Sequence, residues 1–252
     1  MNNEEWQIIC KFRENFKKKI EEWVNFCKKN QIDLIKLQKN AAEKTKTPAY
    51  SFETPIVYNS DLEKITKDDE IALIVIGDNP GKEEQLLKNR KYLCGQAGKL
   101  AEGFFRKNAE LGIDFRKNVI ILNKTPVHSA KTAQLSLMMK EGGEKVEQLI
   151  LESQLWMAEE TAKLHKALFL QNKKTELWIA GYSELKNKGF FVPYKTRLKE
   201  EYDEKTWDKV YVFQHFSMNR FTIDLREHYD EQKTLEQNIR AVGKLHKNEI
   251  FN

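Results

Sequence analysis

The residues best suited to chemistry gather where apolar runs stop. Ile71–Ile76 gives way to Gly77-Asp78-Asn79-Pro80-Gly81, Val119–Leu122 to Asn123-Lys124-Thr125-Pro126, and Val210–Phe213 to Gln214-His215-Phe216-Ser217. Asp78 and Asn79 bring a carboxylate and a carboxamide that can place a water molecule and face a developing cation. His215 brings an imidazole that can donate a hydrogen bond to a developing anion, and a neutral ring suffices for that. Asn123 carries an amide donor and an acceptor, which together match the polar edge of a planar ring. Each also has a plainer reading: Asp or Asn in a turn caps backbone groups, and a His at a strand end can bond to the backbone.

For these clusters to converge, the runs must be neighbouring strands. Six consecutive apolar residues, Ile71–Ile76, mostly β-branched, fit a strand buried on both faces. Val119–Leu122, Leu177–Ala180 and Val210–Phe213 read the same way, and Gly181 closes the third. Helical patterns lie between and around them. Trp6, Ile9, Cys10, Phe16, Ile20, Trp23, Val24 and Cys27 recur at helical spacing, and a shorter pattern from Ile32 ends near Pro48. Further helices are expected over Leu100–Leu111, over Val146–Leu170 beyond the Gly142-Gly143 break, and over Thr234–His246. Pro48–Asp69 reads as a connecting loop and Phe190–Trp207 as a charged, irregular insertion. Strands alternating with helices predict a three-layer α/β/α fold with a central four-stranded parallel sheet. Residues 1–47 form an N-terminal helical extension packed on the core, and 48–252 the α/β domain. In such sheets ligands bind at the rim where the strands end.

The bulk properties fit this picture. With 40% hydrophobic and 32% charged residues, the 252-residue chain reads as a soluble globular protein. It has no apolar run of about 18 residues, which excludes a helical membrane span. The start, Met1-Asn2-Asn3-Glu4-Glu5, lacks the basic and apolar regions of a signal peptide, so a cytoplasmic location is expected. Cys10, Cys27 and Cys94 give neither a disulfide framework nor metal-ligand spacing. A net charge of +5 is a mild excess that does not by itself identify a nucleic-acid partner.

Taken together, Gly77-Asp78-Asn79-Pro80-Gly81, Gly95-Gln96-Ala97-Gly98, Asn123 and His215-Phe216-Ser217 resemble the uracil-DNA glycosylase superfamily over roughly Ile71 to Arg220. That family carries a Gly-x-x-Pro motif, in several branches Gly-x-Ala-Gly, and a His-Pro-Ser motif. The resemblance implies a metal-independent, cofactor-free, monomeric glycosylase that flips uracil or a related deaminated base out of DNA and hydrolyses its glycosidic bond. It implies that Asp78 and Asn79 handle water and the sugar cation, that His215 serves the departing base, and that Asn123 selects uracil over cytosine. Gly77, Pro80, Gly81, Gly95 and Ser217 would approach the substrate closely or contact phosphate. Met218 and Arg220 would form the duplex wedge and a phosphate contact. The chain departs from the family at Leu93, which stands where a stacking Phe is expected, so stacking falls to Tyr92 or to nothing. It also has Phe216 in place of the proline and lacks iron-sulfur cysteines. These departures leave open a glycosylase-fold nucleic-acid binding protein without activity or with altered specificity. A small-molecule enzyme acting on a nucleoside is a third reading.

Overall fold

The computed structural model describes residues 1–252. In chain order its elements are α1 (Asn3–Lys29), α2 (Leu34–Lys44), β1 (Leu73–Gly77), α3 (Gln96–Lys107), β2 (Val119–Asn123), α4 (Ala133–Asn172), β3 (Glu176–Ala180), α5 (Val192–Glu200), α6 (Glu204–Trp207), β4 (Val210–Phe213), α7 (Arg220–Glu227) and α8 (Leu235–Phe251). The strands form one parallel sheet in the order β2-β1-β3-β4. Every strand residue is buried, which is what uninterrupted apolar runs require of a sheet covered on both sides.

On one face, α3 and α7 bring Phe105 and Phe221 onto Trp178 of β3, with ring centroids 5.7 and 6.1 Å away. α4 lies against β3, and α1, α2 and α5 pack on α4 in turn. Phe16 and Trp23 of α1 both meet Trp156 of α4, at 5.6 and 5.5 Å between centroids, so the N-terminal helices share the main core. The architecture is the three-layer α/β/α arrangement that the alternation of runs predicts. No helix is long and apolar enough to cross a membrane.

Two segments differ from the sequence reading. Phe190–Trp207 is mostly helical, as α5 and α6, and it buries Phe191, Tyr194 and Leu198 completely. Pro193 near the start of α5 and Asp203 capping α6 are the local causes. α4 begins before the glycines, at Ala133, and turns sharply at Gly143, where φ is 69°.

The register sets up the site. Gly77 pairs with Asn123, Ile76 also pairs with Ile179, and Ala180 pairs with Phe213. The strands therefore end level. Asp78, Lys124, Gly181 and Gln214 are the first residues beyond the sheet on one rim. Sequence-consecutive strands lie on opposite sides of β1, so the crevice between β1 and β3 is the switch point where open α/β sheets take ligands.

Candidate active site

A cavity of about 530 Å³ opens at this rim. Asp78, Asn79, Leu93, Asn123, His215 and Ser217 line it, together with Gly81, Gly95 and the buried Glu84. The main sequence-predicted groups thus meet in one place, Asp78 and Asn79 after β1, Asn123 at the end of β2, His215 and Ser217 after β4, and Leu93 and Gly95 just before α3.

Asp78 is half-buried, and its Oδ1 accepts a hydrogen bond from Lys124 Nζ at 2.5 Å. Lys124 is wholly buried, and the same ammonium donates to the Ala180 carbonyl at 2.5 Å. Burial lowers the pKa of Lys124, and the neighbouring Asp78 carboxylate opposes that shift. Gly181 makes the arrangement possible. Its φ of +94° suits glycine, and a Cβ there would lie 2.2 Å from Asp78 Oδ1.

Asn79 also lines the cavity but is held by its neighbours. Its Nδ2 donates to the Ser129 carbonyl at 2.8 Å and to Ser129 Oγ at 3.0 Å, and its Oδ1 accepts from Thr132 Oγ1 at 3.3 Å. A carbonyl can only accept, which fixes the orientation of the amide. Asn79 ties the β1 turn to the loop after β2, whereas Asp78 Oδ2 makes no hydrogen bond within the protein.

His215 has its tautomer set by the backbone. The Ser217 N–H donates to Nδ1 at 3.0 Å, so Nδ1 carries no proton and the ring hydrogen sits on Nε2. Ser217 Oγ lies 2.7 Å from the same nitrogen and donates to it as well. Ser217 therefore orients His215 in addition to lining the cavity. Burial lowers the pKa of His215, with Lys124 adding to that effect and Asp78 opposing it, so the ring is neutral and Nε2–H is a free donor.

Asn123 is 1% exposed and its amide nitrogen has no partner in the protein. An orphaned buried donor costs about 1–3 kcal/mol, which a ligand would recover. Gly77 makes room for it, because a Cβ at that position would lie 2.5 Å from Asn123 Oδ1.

The remaining predicted residues divide. Gly81 and Gly95 line the cavity, whereas Pro80 is buried behind the turn, where its carbonyl accepts from His128 Nδ1 at 2.8 Å. Tyr92 is not available for stacking: it is fully buried and its hydroxyl donates to the Val57 carbonyl at 2.5 Å. The reason is Leu93, whose φ of +48° turns the chain so that Leu93 faces the cavity and Tyr92 faces away. Arg116 holds that turn by donating to the carbonyls of Tyr92 and Leu93, at 3.3 and 2.5 Å. Met218 and Asn219 are both left-handed, with φ of 53° and 58°, and Met218 is 78% exposed at the loop tip. Two successive non-glycine residues in this region carry strain of order 1 kcal/mol each, a cost often kept at ligand-engaging loops. Phe216, in place of a proline, is buried on Phe221 at 4.8 Å between centroids and anchors the loop. Arg220 is exposed at the start of α7.

Lys124 and Glu84 are site residues that sequence reasoning missed. The Glu84 carboxylate accepts the Gly81 N–H at 3.1 Å, and burial pushes its pKa up to about 7. A lysine directly after a buried strand was a usable signal for the first. Glu84, in a Lys-Glu-Glu-Gln run, gave none. A larger cleft of about 690 Å³ lies at the opposite rim, near Glu70, Lys174 and Arg240, but Arg240 there is paired with Glu176 and Glu236. Compared with known proteins, the chain matches no family model and no curated sequence.

Proposed function

We propose that the chain is a DNA glycosylase that hydrolyses the N-glycosidic bond of uracil, or of a related deaminated base, flipped into the rim cavity. The observation that carries this reading is the meeting of three groups in one cavity: the Asp78 carboxylate, the free Nε2–H of neutral His215 and the unpartnered amide of Asn123.

Breaking the bond leaves positive charge on the sugar and negative charge on the base. Asp78 Oδ2 is free to orient a water toward C1′ and to face the sugar cation, while Oδ1 stays on Lys124. His215 Nε2–H donates to the uracil O2 as charge grows there, and a neutral donor suits an anionic leaving group whose proton need not be transferred. The Asn123 amide donates to O4 and accepts from N3–H, a pattern cytosine does not match. Leu93 supplies apolar contact to the ring in place of an aromatic stack. Met218, 78% exposed at the loop tip, would fill the gap left by a flipped nucleotide, and Arg220 would take a backbone phosphate.

The test is base release from uracil-containing single- and double-stranded oligonucleotides, read on a gel after the abasic sites are cleaved. The wild type should give product. A double variant, Asp78→Ala with Asn79→Ala, should give almost none. A wild type that binds DNA in a salt-dependent manner without releasing base would instead mark a binding module, the reading favoured by Leu93 standing in place of a stacking ring.

A further inference from the structure

We propose that Lys124 is a positioning residue of the rim site, its ammonium holding one oxygen of the Asp78 carboxylate so that the other is presented to the cavity. The inference rests on the glycosylase reading of that cavity.

Lys124 cannot act on a substrate directly, because its side chain is fully buried and the cavity wall does not include it. What it does is bridge the switch point. Nζ reaches Asp78 Oδ1 beyond β1 and the Ala180 carbonyl at the end of β3, both at 2.5 Å. Its own N–H donates to the carbonyls of Gly77 and Asp78 at 3.0 and 3.1 Å, so the residue is fastened to the catalytic turn at both ends. The ring of Phe191 lies 5.1 Å from Nζ and closes the ammonium off from water. A buried ion pair is a poor way to gain stability, since apolar residues of similar volume commonly fill such a space at no loss. The geometry points to orientation as what the ammonium supplies. With Oδ1 held by the ammonium, rotation of the carboxylate would break a short bond, and Oδ2, which makes no hydrogen bond within the protein, stays available to the cavity that Asp78 lines.

A second consequence is electrostatic. The charged or titratable groups that act on Lys124 are Asp78 after β1 and Glu184 after β3, and Lys124 in turn acts on His215 after β4. The ammonium disfavours a protonated His215 ring and so preserves the neutral donor. Because burial lowers the pKa of Lys124 below its ordinary 10.5, it loses its proton at a lower pH than an exposed lysine would. Above that point the Asp78 carboxylate loses its cationic partner, and the hydrogen bond that remains is no longer charge-assisted.

The experiment is steady-state uracil release from a single-stranded oligonucleotide, from neutral to strongly alkaline pH, by wild type, Lys124→Met and Lys124→Arg, each checked for folding by thermal melting. Lys124→Met should slow kcat about 100-fold with KM within about threefold of wild type, the scale of loss when one catalytic group is misplaced. Lys124→Arg should recover much of the rate and move the alkaline limb of the wild-type profile upward. Wild-type kcat in Lys124→Met, or an alkaline limb that Lys124→Arg leaves in place, overturns the proposal. A wild type that releases no uracil sinks the glycosylase reading instead. Lys124 is then judged on the imidazole of His215, titrated by NMR without substrate. A higher titration point in Lys124→Met supports the proposal, and an unchanged one refutes it.

Discussion

Replacing Gly181 by alanine perturbs the site without replacing any group assigned to chemistry. Two costs follow from the structure. The first is backbone: φ is +94°, and an L-residue held at positive φ costs roughly 1–2 kcal/mol. The second is steric. The new Cβ would stand 2.2 Å from Asp78 Oδ1, about 1.2 Å short of the 3.4 Å at which ordinary contact begins. Relieving that contact pushes the carboxylate off its bond to Lys124, and a misplacement of about 1 Å in a catalytic group costs on the order of 100-fold in rate. Gly112→Ala is the matched control, with φ of +65° and nothing within 4 Å of the added carbon. Urea unfolding should show a backbone loss in both variants, with the larger total in Gly181→Ala because only there does the added carbon meet a neighbour. Single-turnover uracil release should fall about 100-fold in Gly181→Ala alone, with DNA affinity nearly unchanged. Equal base release from the two variants would refute the claim that the position of Asp78 is decisive.

Other outcomes follow from the same geometry. Tyr92→Phe should cost about 1 kcal/mol of stability by urea unfolding, through the lost bond to the Val57 carbonyl, and leave uracil release unchanged, since the ring is in the core. Met218→Ala should not alter the melting temperature, because the side chain is 78% exposed, yet it should slow release from duplex DNA much more than from single strands. Glu84 carries a stability signature. Its folded pKa of about 7 lies above the ordinary 4.5, so its contribution is complete below pH 4.5 and is lost as pH rises through 7. Chemical unfolding of wild type should weaken across that window by up to about 3 kcal/mol, and Glu84→Gln should flatten the profile there.

Much of this arrangement is legible in the residue string. Ile71–Ile76 and its three counterparts are apolar throughout, so both their strand character and the covering of the sheet by helices follow from burial alone. The rim clusters follow too, because parallel strands must end on one side and their polar residues are left there. What the string conceals is direction and partnership. Tyr92 and Leu93 exchange the roles one would assign them because Leu93 adopts a left-handed backbone, which Arg116 enforces from a distant point in the chain. Lys124 stands out in the string only as a lysine directly after a buried run, and its partners Asp78 and Ala180 emerge only from the register. The α5 helix is hard to read from the string although Phe191, Tyr194 and Leu198 stand at helical spacing, since the surrounding lysines and glutamates obscure that short stripe.

Release of the free base is the one chemical event that the glycosylase reading requires. Incubating the protein with an oligonucleotide containing a single uracil, and measuring free base by chromatography and mass, tests it most directly. It predicts free uracil in step with abasic sites from the wild type, and little or none from His215→Ala. DNA that stays intact while bound to the protein would contradict it.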